Sequence, residues 1–389
     1  MPTPEPDPTP LVVYGPANHE YDFGPGHPFT PRRFGPGVDL LRELGAADFE
    51  APAATTDEVL ETVHTRAFLA SIGRLSDYPE LADEEAVTDG DTPPFYGMHQ
   101  AASAVVGGTL AAMESILAGR RLHAFHPGGG LHHAFPSRAT GFCVFNDLAV
   151  AIRRARQAGH RVLYVDVDVH HGDGVERIFW NDPLVQTVSI HESGLTLFPG
   201  TGWVDDRGGE GAEGSAVNIP LLPGTSDGSW LAILESIVPA VAEAFRPTLL
   251  VTQNGADAHS YDPLSNLELT TAGMHRAVRL MDDIAHRYTG DRWLATGGGG
   301  YDVYRVVPRT WSLVWLGQAH RDVPAETPPA WRERWADEAA RYGQAPPPVR
   351  MLDPEGTGSA ESPRVAASNR ETAAIALERT LQVLHDRPG

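Results

Sequence analysis

Between Tyr164 and Gly174 the chain reads Tyr-Val-Asp-Val-Asp-Val-His-His-Gly-Asp-Gly, and this run constrains the fold more than any other. Val165, Val167 and Val169 alternate with Asp166, Asp168 and His170. In an extended strand, period-two geometry sends the valines to one face and two carboxylates and an imidazole to the other. A buried strand rejects charged groups unless something pairs them. A cation held at the end of the strand meets both demands, so the run points to a metalloenzyme.

The surrounding pattern alternates strands and helices. Short apolar runs predict strands at 11–14, 122–126, 161–169, 185–190, 248–253 and 293–296. Helical spacing predicts helices over 56–72, 98–118, 146–158, 175–180, 230–245, 272–288 and 303–316, with the second weakened by Gly107-Gly108. Gly119, Gly159 and Gly290 sit where three of these helices should stop. Such alternation with apolar strands indicates an α/β fold, a mainly parallel sheet covered on both faces. Residues 15–36 are rich in Gly and Pro and read as loop, and residues 318–365 show little period. An amphipathic helix is predicted over 371–385, where Ala374, Leu377, Leu381 and Leu384 recur on one side. The expected organisation is a flexible tail over 1–10, one domain over 11–320, and a C-terminal extension over 321–389 whose terminal helix packs back on the domain.

With 389 residues, 41% of them hydrophobic, the chain can bury a large core. Its lone cysteine, Cys143, excludes an intramolecular disulfide framework and fits a reducing compartment. The proline-rich N-terminus lacks the basic start and apolar stretch of a signal peptide. No apolar run approaches the roughly 20 residues that span a bilayer. A cytoplasmic protein with no membrane partner is expected. The net charge of −21 argues against nucleic acid as a partner and is compatible with basic substrates such as lysine-rich peptides or polyamines.

In open parallel sheets ligands bind beyond the carboxyl ends of the strands. The reactive residues fall at those ends: His132-His133 after 122–126, Asp166 to Asp173 closing 161–169, Asp257 after 248–253, and Tyr301 after the four glycines that follow 293–296. Asp168 and His170 can share one ion, and Asp257 supplies a third ligand. Three protein ligands leave a position open for water or substrate, the catalytic pattern for zinc, although ferrous iron suits the same donors. Asp166 is left to orient a histidine or to bind a second cation. A carboxylate that accepts from one ring nitrogen of His132 or His133 would fix the tautomer and free the other nitrogen to act as a base. Asp166 and Asp173 are available for that. Tyr301 can aim a phenol at an oxygen that gains charge during reaction. The glycine loop is followed by no lysine, so a P-loop is excluded.

Five ordered motifs carry a family resemblance: Pro127 to Ala134 (PGGGLHHA), Gly141 to Asp147 (GFCVFND), Asp166 to Glu176 (DVDVHHGDGVE), Phe198 to Gly202 (FPGTG) and Gly297 to Tyr301 (GGGGY). Over residues 12–316 the chain resembles the zinc-dependent histone deacetylase family, most closely its bacterial acetoin-utilisation branch. The resemblance implies a three-layer arginase/deacetylase-like α/β fold. It implies Asp168, His170 and Asp257 as ligands of Zn2+, with Fe2+ an alternative. His133 supported by Asp173 would be the general base and acid, His132 paired with Asp166 an electrostatic partner, and Tyr301 the donor to the substrate carbonyl. Asp91 would hold substrate amides at the rim, and Phe142, Phe198, Gly141 and Gly299 would shape an acyl-lysine tunnel. Asp166, Asp168, His170, Ser189 and Ile190 would surround a structural K+ or Na+.

The reading that follows is a metal-dependent deacetylase of acetylated lysine in proteins. Asn254, His259 and Asp262-Pro263 depart from the eukaryotic pattern towards other branches, which keeps open an amidohydrolase of small acylated amines such as acetylpolyamines. His259 also raises a binuclear, arginase-type centre. The non-enzyme alternative is an acyl-amide sensor or scaffold.

Overall fold

The computed structural model describes residues 9–386. Eight strands form one sheet: β1 (Leu11–Val13), β2 (Phe49–Glu50), β3 (His123–His126), β4 (Val162–Asp166), β5 (Val185–Glu192), β6 (Ala216–Leu221), β7 (Leu249–Gln253) and β8 (Trp293–Thr296). Their order is β2-β1-β3-β8-β7-β4-β5-β6, and every neighbouring pair is parallel. The helices, in chain order, are α1 (Phe34–Glu43), α2 (Asp57–Leu60), α3 (Arg66–Asp77), α4 (Ala82–Glu85), α5 (Met98–Leu117) and α6 (Asp147–Gln157). They continue as α7 (Asp173–Phe179), α8 (Asp227–Phe245), α9 (Thr271–Tyr288), α10 (Val307–Gln318), α11 (Pro329–Arg341) and α12 (Pro363–Asp386).

Strand β4 shows why the sheet is covered twice. Leu163 and Val165 join a core built with α8, α9 and α10. Val162 and Tyr164, on the opposite face, join a core built with α5, α6 and α7. Both faces of a parallel strand are therefore apolar, as crossover helices require. Each large side chain buried this way contributes roughly 1.5–3 kcal/mol over leaving it in water. This is the three-layer arginase/deacetylase architecture expected from the sequence.

Several local expectations need correction. The strand over 161–169 stops at Asp166. Asp168 and His170 therefore lie on the following loop, not on a pleated face. The helix over 56–72 is split, because Thr65 turns out of helical geometry and caps α3 by accepting from the Phe68 N–H at 3.3 Å. Residues read as loop near 34–36 open helix α1. Gly107-Gly108 does not weaken α5: a Cβ on Gly107 would lie 1.8 Å from the Ala53 carbonyl oxygen, so the glycines let neighbouring backbone pack closely.

In the C-terminal region α12 begins at Pro363, earlier than its apolar spacing implied, and lies against α8 and β6. Asn369 joins them, accepting from the Leu222 N–H at 3.0 Å and donating to Thr225 Oγ1 at 2.7 Å. By length and mean hydropathy (1.3) α8 alone among the described residues could cross a membrane, but it packs between α9 and α12. Most of the tail expected over residues 1–10 lies outside the described residues.

Candidate active site

The loops that follow β3, β4, β7 and β8 meet at one end of the sheet. Asp168, His170 and Asp257 are all buried, and their donor atoms lie within 4.8 Å of one another. His170 Nδ1 is 3.0 Å from Asp168 Oδ1 and 3.2 Å from Asp257 Oδ2. Local hydrogen bonds replace the pleat that the strand reading supposed. The His170 N–H donates to Asp168 Oδ1 at 3.0 Å, the Asp168 N–H to Asp166 Oδ1 at 3.1 Å, and the Val169 N–H to Asp257 Oδ1 at 2.9 Å.

These residues fit a divalent cation. Asp257 Oδ2 is buried and, apart from the His170 Nδ1 contact at 3.2 Å, has no hydrogen-bond partner among the described residues. A carboxylate oxygen in that position costs several kcal/mol unless a positive charge faces it. Burial and the charge of Asp168 push the Asp257 carboxyl up to about 6. Burial pulls His170 down, but its hydrogen bonds to Asp168 and Asp257 outweigh that and raise it to about 10. The cluster thus carries more negative charge than its surroundings balance. Two oxygens and one nitrogen suit Zn2+ or Fe2+.

The paired histidines take separate partners. His132 Nδ1 donates to Asp166 Oδ2 at 2.8 Å, and His133 Nδ1 donates to Asp173 Oδ1 at 2.7 Å. Their Nε2 atoms are 3.0 Å apart, so one of them carries a proton and the other accepts it. Burial lowers His132, but the charges of Asp166 and Asp168 outweigh it and raise it to about 9. Burial and the neighbouring His132 lower His133 to about 4. Two adjacent imidazoles are driven apart, one charged and one neutral at pH 7. The loop is fixed from below: Asp147 accepts from the Gly130 and Leu131 N–H groups, and Asn146 Nδ2 donates to the His132 and Ala134 carbonyls.

Tyr301 reaches the same place from the loop after β8. Its N–H donates to Asp262 Oδ2 at 2.7 Å, and burial, then the charge of Asp257, holds its phenol well above the usual range. It therefore stays a hydrogen-bond donor. Above it a pocket of about 500 Å³ opens to solvent, lined by His133, His170, Gly141, Phe142, Phe198 and Tyr301, with Asp91 among its other walls. The Phe198 ring stands edge-on to His133 at 5.0 Å, and the Phe142 ring edge-on to Tyr301 at 5.9 Å. Asp91 is exposed, and its carbonyl lies 3.2 Å from His27 Nε2. Gly141 and Gly299 are close-approach positions: a Cβ on Gly299 would fall 1.8 Å from Asp257 Oδ2. Asp166, the last residue of β4, stands opposite Ser189 within β5, and Ile190 follows.

Other residues contribute in ways the sequence did not indicate. Gln253 Nε2 donates to Asp168 Oδ2 at 2.6 Å, and the Gly299 N–H donates to the same oxygen at 2.8 Å. Tyr164 donates its hydroxyl to Asp166 Oδ2. Gly255 packs directly on Asp168, and Asp262 anchors Tyr301. His259 turns away from the centre, with Nε2 2.7 Å from Asp353, which also pairs with Arg309. That removes the extra ligand a binuclear centre would need.

A parallel sheet with this donor set beyond its carboxyl ends places the chain among the hydrolases of the arginase/deacetylase fold. Residues 27–317 match the family model described as the histone deacetylase domain, and the chain belongs to that zinc-dependent family as a deacetylase. It is 43% identical over 333 residues to the acetoin utilization protein AcuC of Bacillus subtilis, covering 84% of this chain and 86% of that protein. It is 35% identical over 349 residues to AcuC of Staphylococcus xylosus, covering 88% and 90% of the two chains. Among solved structures, the crystal structure of an HDAC homologue complexed with SAHA matches with a TM-score of 0.81 and 27% identity, covering 94% of this chain and 99% of that one. An HDAC homologue from Aquifex aeolicus matches with a TM-score of 0.79 and 27% identity, covering 94% and 100%.

Proposed function

We propose that the protein hydrolyses the acetyl or acyl amide on the side-chain amine of lysine in proteins or peptides. The observation that carries the reading is the aromatic passage between Phe142 and Phe198. It runs from an exposed rim carboxylate, Asp91, down to His133, Tyr301 and His170, one member of the Asp168–His170–Asp257 donor set. Aromatic walls suit the methylene stem of lysine, and an exposed acid at the mouth suits the peptide N–H groups beside it.

Asp168, His170 and Asp257 would hold the cation, zinc or ferrous iron. When bound, such an ion polarises the amide carbonyl and makes water nucleophilic near neutral pH. Tyr301 donates its phenolic O–H to the carbonyl oxygen and strengthens that bond as charge develops there. His133, neutral and held by Asp173 through Nδ1, exchanges the Nε2 contact with His132 for one with the attacking water and takes its proton at Nε2. His133 then returns a proton to the amide nitrogen as the C–N bond breaks, releasing carboxylate and free amine. His132, held cationic by Asp166, keeps His133 from protonating too early. The same reading assigns a structural K+ or Na+ to the oxygens around Asp166, Asp168, His170, Ser189 and Ile190.

The test is a comparison of substrates. Zinc-loaded protein is expected to release acetate from acetyl-lysine peptides with a higher kcat/KM than from acetylated polyamines. Asp91→Ala should raise KM for the peptide while sparing the polyamine. The opposite preference would make the protein an amidohydrolase of small acylated amines. No turnover of either would leave a binding role.

A further inference from the structure

At the opposite end of the sheet a second set of donors converges. His123 is the first residue of β3, paired with Trp293 at the start of β8, so it stands a strand's length from the catalytic loops. Asp282 and His286 lie one turn apart on α9, and His320 lies just past the end of α10. His286 Nε2 is 3.3 Å from Asp282 Oδ1 and 3.1 Å from His320 Nε2. His320 Nε2 is 3.1 Å from the same Asp282 oxygen. Donor atoms of His123, Asp282 and His320 all lie within 4.8 Å of one another.

His123 decides how the cluster is read. Its side chain is only 4% exposed. Its Nδ1 donates to the Gln318 carbonyl at 2.8 Å, which leaves Nε2 with a lone pair. That Nε2 is buried and has no hydrogen-bond partner among the described residues. A hydrogen-bonded histidine cluster has no reason to leave this atom unsatisfied. A metal ligand does: a histidine that binds through Nε2 donates its other N–H to a carbonyl or carboxylate. His286 has the same build, with Nδ1 donating to the Asp291 carboxylate.

The spacing agrees. Four ligands about 2.0–2.1 Å from one zinc ion stand roughly 3.3 Å from each other in a tetrahedron. The contacts among Asp282, His286 and His320 are 3.1 to 3.3 Å. The three imidazole centroids are 5.0, 5.5 and 5.9 Å apart, as rings gathered around one ion would be. His320 and Asp291 both hold positive φ (+50° and +65°), a conformation that most side chains avoid.

We propose that His123, Asp282, His286 and His320 form a second metal site, for one divalent first-row cation of the zinc class, that clamps β3, α9 and the end of α10. Three imidazoles and a carboxylate close the coordination shell, which is the structural rather than the catalytic pattern. The site is independent of acyl transfer.

Elemental analysis of the full chain, equilibrated with buffered zinc and then stripped of loose metal, tests this. Two zinc ions per chain are expected. His286→Ala and His320→Ala, whose side chains are partly exposed, should each reduce this to one, lower the melting temperature and leave turnover unchanged. Asp257→Asn should also reduce it to one, but by emptying the other centre. In that background Co2+ should give the visible absorption of a tetrahedral site, and His320→Ala should abolish it. A single zinc ion that disappears with Asp257→Asn would overturn the proposal. So would a second ion indifferent to both histidine substitutions.

Discussion

Replacing Gly141 by alanine puts a methyl group where the pocket has no room. Its Cβ would stand 2.5 Å from His133 Cδ2, 2.8 Å from His133 Cγ and 2.9 Å from the Phe198 ring. Carbon atoms in good contact are about 3.5 Å apart or more, so the imidazole must retreat by roughly 1 Å. A displacement of that size in a reacting group costs about 10²-fold in rate, or about 2.7 kcal/mol of barrier. The backbone adds a separate cost, because φ is +57° at this position and a left-handed L-residue loses roughly 1–2 kcal/mol. Gly24→Ala separates the two effects: φ there is +93°, and nothing lies within 4 Å of the added Cβ. The assay is kcat/KM on an acetyl-lysine peptide, with melting temperature and zinc content measured on the same samples. Both variants should melt a few degrees lower. Only Gly141→Ala should lose about two orders of magnitude in kcat/KM, with its zinc retained. Wild-type turnover by folded, zinc-loaded Gly141→Ala would refute the placement of His133 beside the reacting atoms.

Tyr301→Phe removes one donor to the developing oxyanion and should lower kcat by about 10²–10³-fold with KM and zinc content little changed, as steady-state kinetics will show. Gln253→Leu removes the amide that holds Asp168 Oδ2 and should weaken zinc binding about 10–100-fold in competition with a chelator. His64 gives a pH test remote from the metal. Burial holds it at about 4, with Nδ1 donating to the Phe135 carbonyl and Nε2 accepting from the Asn146 N–H. Between pH ~6.5 and ~4 the unfolded chain binds a proton there that the folded chain refuses. This group's contribution is therefore complete above pH ~6.5 and lost as pH falls, by about 3 kcal/mol in all. Denaturant titrations of His64→Gln should show a shallower fall in stability across that window than the wild type.

What the sequence made legible depended on how local the cause was. Every strand with an apolar run of its own was readable, from β1 to β8. β2 and β6 were not, β2 because it is only two residues long (Phe49–Glu50) and β6 because Asn218 and Pro220 break its pattern. Both are tolerable there because β6 is the sheet edge, where a proline need not donate. Helix α1 hid behind Gly35 and Pro36, which read as loop, with Gly37 directly after them. Its glycines serve packing: a Cβ on Gly35 would meet the Trp335 ring and one on Gly37 the Trp311 ring, both at 2.5 Å. Asp168 and His170 were read as partners for a mistaken reason. Their two-residue spacing brings them together through a loop that folds His170 back onto Asp168, not through a pleat. Gln253, Asp262 and Tyr164 were illegible because each acts on a residue distant in sequence or through its backbone. The distal cluster was harder still, since His123 meets Asp282 and His320 only once the sheet has formed.

Acetate release from an acetyl-lysine peptide by zinc-loaded wild type and His133→Ala, at equal and verified zinc content, tests the central claim most directly. The account predicts turnover by the wild type and a loss of about 10²–10⁴-fold in the variant. Equal turnover by the two proteins would contradict it, because the proton of the attacking water would then have another destination than His133 Nε2.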